Sequence, residues 1–136
     1  DNLQIDATPK LLAHFARMSQ LHARLAPYVR HVLDEGQASG LAAQRPLFLH
    51  FEELRLHAVQ DQYLYGQDLL VAPIIEAGVS GRTVIVPGEG WADFWTGDAI
   101  PAGEHWFDAP YGKPPVFYWL DSRFASLFAE IRREFA

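Results

Sequence analysis

The apolar periodicity of the chain changes character once, and that change limits the folds open to it. Before residue 61 the dominant pattern is helical. Beyond Leu69 it becomes a series of short strand-like runs separated by turn residues. In residues 9–35, Leu11, Phe15, Met18, Leu21, Leu25, Val29 and Val32 or Leu33 recur at three- and four-residue steps, one stripe of a long helix. Thr8 suits the N-cap, and Pro9 suits the first helical position, where its missing N–H costs nothing. Pro27 predicts a kink in the last turns and Gly36 a C-cap. Lys10, Arg17, Arg24 and Asp34 mark the solvated face.

Arg45–Phe51 is a nearly continuous apolar run, the pattern of a strand buried on both faces. Glu52–Gln60 is weakly helical, with acids in its first turn where the helix dipole favours them. Helix, strand, helix is the local order of an α/β barrel. After it, Leu69–Ile75, Arg82–Val86, Trp91–Trp95, His105–Ala109 and Val116–Leu120 read as strands of a β-sandwich or partial barrel. Asp121 or Ser122 then caps an amphipathic helix with Phe124, Leu127, Phe128, Ile131 and Phe135 on one face. The change falls near residues 61–68. A complete (β/α)8 barrel needs about 250 residues, so 1–61 is expected to be only the end of one. A self-contained α+β domain, with both helices on one sheet, fits the periodicity equally well.

The net charge of -6 argues against a nucleic-acid partner, which needs a basic face. No basic run exceeds Arg132-Arg133, and the longest apolar run, Leu69–Ile75, is too short for a membrane span, so no membrane partner is expected. The absence of cysteine removes disulfides and thiolate chemistry, and the expected location is cytoplasmic. Asp1-Asn2-Leu3 is neither an initiator methionine nor a signal peptide, which suggests a truncated chain.

Few residues invite chemistry. His14, His22, His31, His50, His57 and His105 lack ligand spacing, so no metal site is expected. No serine lies in a G-x-S-x-G elbow, and no phosphate-cradling glycine motif occurs, so no cofactor is expected. Glycoside hydrolysis needs two carboxylates across a sugar, about 5 Å apart in retaining enzymes. Glu52 and Glu53 follow the Arg45–Phe51 run, where barrel sites form, but first-turn helix acids are the simpler reading. Asp61, Asp68, Asp93 and Asp98 hold turn or strand-edge positions. Trp91, Phe94, Trp95, Trp106, Phe107, Tyr111, Phe117, Tyr118 and Trp119 could stack on sugar rings, although a small β domain also needs large side chains to fill its core.

The series His14-Phe15-Ala16-Arg17-Met18, Leu25-Ala26-Pro27-Tyr28, Ser39-Gly40-Leu41, Arg45–Phe51 and Gln62–Pro73 resembles glycoside hydrolase family 31, the α-glucosidase and α-xylosidase family. Trp91–Gly97 and Ala109–Tyr118 continue the likeness, and within the family it is greatest to the bacterial sulfoquinovosidase type. The resemblance implies α/β then all-β architecture. Residues 1–61 would be the last helix, strand and helix of a (β/α)8 TIM barrel, and 62–136 the proximal C-terminal β-sandwich with its terminal helix. It also implies a retaining mechanism with two aspartates, both upstream of Asp1. No residue here is therefore named catalytic, cofactor-binding or metal-binding. Asp1–Asp6 would be the segment nearest the active site. The expected function is that of the C-terminal part of an α-glycosidase acting on an α-linked sugar or sulfosugar, inactive alone. The alternative is a free-standing carbohydrate-binding or structural β module.

Overall fold

The computed structural model describes residue 4 and residues 6–135; the expectation for Asp1–Asp6 otherwise lies outside the described residues. Among the described residues, three helices and eight short strands form three layers. The order is α1 (Pro9–Arg24), α2 (Ala26–Ser39), β1 (Gln44–Arg45), 3-10 turns at Leu47–Leu49 and Leu54–Ala58, β2 (Tyr63–Tyr65) and β3 (Leu69–Val71). Then come β4 (Gly81–Val86), β5 (Trp91–Asp93), β6 (Ala99–Ile100), β7 (Gly103–Asp108), β8 (Val116–Trp119) and α3 (Ala125–Phe135).

The central sheet runs β1-β2-β3-β8-β5-β6, and β4 pairs with β7 in a separate ribbon. All six pairings are antiparallel. Alternation along the strands gives the central sheet two apolar faces. Leu64, Leu70, Trp91 and Phe117 face the β4–β7 ribbon and join Val84, Val86, Leu47 and Leu56 in one core. Leu69, Ala92 and Tyr118 face the helices and join Tyr28, Val32, Phe128 and Ile131 in the other.

The expected helix over 9–35 is two helices. Leu25 forms the junction, and Pro27 sits at the start of α2, where a proline has no helical N–H to lose. Thr8 accepts the Leu11 N–H at 3.1 Å, as an N-cap should. The C-cap is Gly40 in the left-handed region (φ 76°), not Gly36. Gly36 serves a different need: a Cβ there would stand 2.7 Å from the Leu41 carbonyl oxygen, where the chain turns back past the helix.

The expected strand Arg45–Phe51 does not form. Only Gln44–Arg45 is extended, and it pairs antiparallel with Leu64–Tyr65, whereas a (β/α)8 strand would run parallel to its neighbours. After Pro46 the chain closes a turn, with the Phe51 N–H donating to Leu47 O at 3.2 Å. The turn brings Leu47 and Phe51 to the same core and leaves Phe48 and Leu49 partly exposed. A run of apolar residues therefore did not mean a strand buried on both faces. The barrel itself is absent from this chain, and residues 44–60 are built into the β domain.

Candidate functional site

The segment Gln62–Pro73 ties all three layers together. Gln62 is buried, and its side-chain amide brackets Ile85: Nε2 donates to Ile85 O at 2.9 Å and Oε1 accepts the Ile85 N–H at 2.8 Å. One side chain thus substitutes for a strand neighbour and joins the central sheet to the ribbon. Tyr28, on α2, meets the same segment from the helical side. Its hydroxyl donates to Tyr65 O at 2.6 Å and accepts the Asp68 N–H at 3.0 Å. Burial pushes the Tyr28 hydroxyl well above its usual pKa, so it remains a neutral donor. Gly66 (φ 62°) lies beneath it; a Cβ there would collide with the Tyr28 hydroxyl. Asp68 completes the joint by accepting the Ser122 hydroxyl at 2.7 Å, and Ser122 in turn accepts the Phe124 N–H at 3.0 Å ahead of α3.

Arg45 is the second fastening. Its guanidinium is fully buried and donates to Ala42 O at 2.8 Å and to Glu35 Oε2 at 2.8 Å, with His50 Nε2 at 3.3 Å. The hydrogen bond from Arg45 holds the Glu35 carboxyl below its usual pKa. Burial, and then the nearby Arg45 charge, lower that of His50. The cluster pins the end of α2 to the start of the β domain.

The candidate acids Glu52, Glu53, Asp61, Asp93 and Asp98 sit in separate local settings. Glu53 accepts Arg55 Nε at 2.7 Å, and Glu52 points to solvent. Asp61 pairs with Arg82 at 2.6 Å. Asp93 Oδ1 accepts the Trp95 and Thr96 N–H groups at 2.7 and 2.8 Å, fixing the turn after β5. Asp98 is part of that turn, donating its N–H to Thr96 Oγ1 at 3.1 Å. Among the described residues no group of three or more His, Asp or Glu is placed to hold a metal ion, and no helix is long and apolar enough to cross a membrane. Several histidines have local partners: His14 lies 4.7 Å from the Tyr111 ring, His57 stacks on Phe48 at 4.7 Å, and His31 Nδ1 is 3.2 Å from Arg123. His105 Nε2 is 3.1 Å from Ala102 O.

Of the nine aromatics considered for sugar stacking, Trp91, Phe94, Trp95, Phe117 and Tyr118 are core. Phe107 and Trp119 pack against it, and only Trp106 and Tyr111 are largely exposed. Two joints thus hold the helices, the central sheet and the ribbon to one another.

Residues 40–121 match the glycosyl hydrolase family 31 C-terminal domain. The chain belongs to that family. It is 44% identical over 133 residues to a sulfoquinovosidase of Escherichia coli (strain K12), covering 97% of this chain and 20% of that protein. It is 47% identical over 135 residues to a sulfoquinovosidase of Agrobacterium fabrum (strain C58 / ATCC 33970), with the same shares covered. A family 31 sulfoquinovosidase from E. rectale, solved with the aza-sugar inhibitor IFGSQ, superposes with a TM-score of 0.96 at 34% identity. That superposition covers 99% of this chain and 20% of the solved one. The chain thus spans about a fifth of the length of these family 31 relatives. The joints Gln62 to Ile85 and Arg45 to Glu35 could not be located from spacing, because each partner lies on a different element.

Proposed function

We propose that this chain is the C-terminal part of a retaining α-glycosidase, and that the intact enzyme hydrolyses α-linked sulfoquinovosides in preference to α-glucosides. Identity of 44% and 47% to two sulfoquinovosidases over 97% of the chain carries the reading. In this proposal the two aspartates of a retaining mechanism, one nucleophile and one acid/base, belong to the barrel of the enzyme and not to these 136 residues. The helices α1 and α2 are then the layer turned towards that barrel, with the β domain on their other side. The apolar residues left exposed on those helices, Leu12, Phe15 and Leu33, support a covering layer outside this chain. The family match beginning at residue 40 and the pairing of Gln44–Arg45 with β2 support a domain boundary at Gly40, ahead of the change in periodicity near residue 61. A cytoplasmic location is part of the same proposal, and cell fractionation tests it.

The test of activity uses the full-length protein that carries these residues. It should hydrolyse 4-nitrophenyl α-sulfoquinovoside with a kcat/KM at least about a hundredfold above that for 4-nitrophenyl α-glucoside, a difference of about 2.7 kcal/mol. NMR of the first-formed sugar should show the α-anomer. Equal rates on both substrates would sink the sulfosugar assignment, and a β-anomer product would sink the retaining mechanism. The 136-residue chain alone should hydrolyse neither.

A further inference from the structure

The parity of β7 separates Trp106 from the rest of the aromatic cluster. Residues 104, 106 and 108 face outward and residues 103, 105 and 107 inward, so Phe107 packs towards the core while Trp106 is 59% exposed. This indole is nonetheless held in place. Its Nε1–H donates to Asp108 Oδ1 at 3.1 Å, and its Cζ2 edge lies over Gly81, where a Cβ would stand only 2.9 Å away. The bare glycine lets the ring lie close to the strand, and the strong exposure leaves much of its surface to solvent.

Trp106 borders a cleft of 310 Å³ shared with Asp61, Glu76, Arg82, Ile75 and Val79. That volume is at the lower end of the about 300–1,000 Å³ usual for small-molecule sites. Arg82 is preorganised beside it: Nη1 donates to Asp61 O and Pro73 O, both at 2.8 Å, and Nη2 pairs with Asp61 Oδ2 at 2.6 Å. A guanidinium has two Nη2 hydrogens and a carboxylate two oxygens, so this pair keeps one donor and one acceptor for a ligand. A flat ring beside an adjacent donor and acceptor matches one chemical shape, an apolar sugar face with two neighbouring hydroxyls at its edge.

The charges narrow the choice further. Two carboxylates against one already paired arginine would repel a sulfonate or phosphate. An apolar protein surface would strip water from Asp61 and Glu76 without offering them a donor. Neutral hydroxyls donate to both.

We propose that the Trp106 cleft is a binding site for a neutral pyranose ring with vicinal hydroxyls, stacked on the indole and gripped by Asp61 and Arg82. The proposal stands on the geometry of the cleft and does not rest on the proposed activity. It is tested in the full-length protein that carries this chain, labelled with 5-fluorotryptophan. The Trp106 resonance is assigned as the signal missing from the Trp106→Phe variant. The probe is methyl β-D-glucopyranoside, whose β-linkage keeps an α-glycosidase from consuming it. Sorbitol is the acyclic polyol of similar hydroxyl content. Expected is a saturable shift of the Trp106 signal with the glucoside and none with sorbitol. Glu76→Gln and Asp61→Asn, which leave the indole in place, should each weaken binding at least about threefold, with thermal unfolding still cooperative. Absence of a saturable shift, an equal response to sorbitol, or unchanged affinity in both carboxamide variants would overturn the proposal. Because the readout is local to Trp106 and needs no turnover, loss of the proposed hydrolase activity would leave this result interpretable.

Discussion

Helices α1 and α3 carry equally regular apolar stripes, yet they end up in opposite circumstances. Phe128, Ile131 and Phe135 of α3 are buried against the central sheet. No residue of α1 is buried; Leu21 touches the core, while Leu12 and Phe15 stay about half exposed. The two also touch: the Arg17 guanidinium donates to Phe135 O, and Arg24 makes a two-pronged contact with Glu134 at 2.6 to 3.1 Å. The contrast teaches that an amphipathic stripe states which face wants covering, and says nothing about whether the cover belongs to the same chain.

Phe128→Ala should cost about 3–5 kcal/mol in chemical denaturation, because it empties a fully buried ring from the helix-side core. A loss below about 1 kcal/mol would mean that α3 is no better anchored than α1. Arg45→Met should cost about 2–3 kcal/mol, less than the about 3–5 typical of a fully buried pair, since Glu35 retains access to water. If Arg45→Met were neutral, the link between α2 and the β domain would lie in packing rather than in this cluster. Gly66→Ala should cost about 1–2 kcal/mol from its left-handed backbone alone, and more from its collision with Tyr28. Combined with Tyr28→Phe it should cost less than the sum of the two single changes, because the deleted hydroxyl is one of the atoms that the new Cβ would strike.

A smaller effect is expected from acid. Folding depresses the pKa of both Glu35 and His50, so the unfolded chain binds more protons and stability falls as pH falls. The His50 contribution is full above its usual 6.5 and is lost as pH drops through its lowered folded value. The Glu35 contribution is full above its usual 4.5 and disappears below that. The midpoint of thermal unfolding should therefore decline from pH 7 to pH 4, and His50→Gln should flatten the first part of that decline. A steeper slope in the variant would reverse the sign assigned to His50. Smallest of all, Leu12→Ser should change the stability of the 136-residue chain by no more than about 0.5 kcal/mol. In the full-length protein the same change should cost several times more if a covering layer is present.

Much of the β domain was legible in the residues. The strands near 82–86, 91–95, 105–109 and 116–120 appear within a few residues of their expected places, because β-branched and aromatic runs bounded by glycine and proline leave few alternatives. Ser122 takes the capping role offered to it or Asp121. The two-residue strands β1 and β6 were not foreseen, since two residues carry no period to read. Arg45–Phe51 misled because an apolar run alone cannot distinguish a strand from a turn wrapped over a core; Pro46 and the single pairing to β2 decided it. Most of the aromatics fill the two cores, and the parity that sets Trp106 apart became visible only once the register of β7 with β4 was fixed.

By itself, then, the sequence determined the helical stripe, the change to short strands, the capped last helix and the family resemblance, because each is a local pattern of polarity and turn chemistry. Tertiary structure alone decided that Gln62 brackets Ile85, that Arg45 reaches Glu35 and His50, and that the carboxylates serve turns and ion pairs. It also decided that Trp106 stands outside both cores. These are pairings between distant elements, and their energies depend on burial and register, which no local pattern encodes.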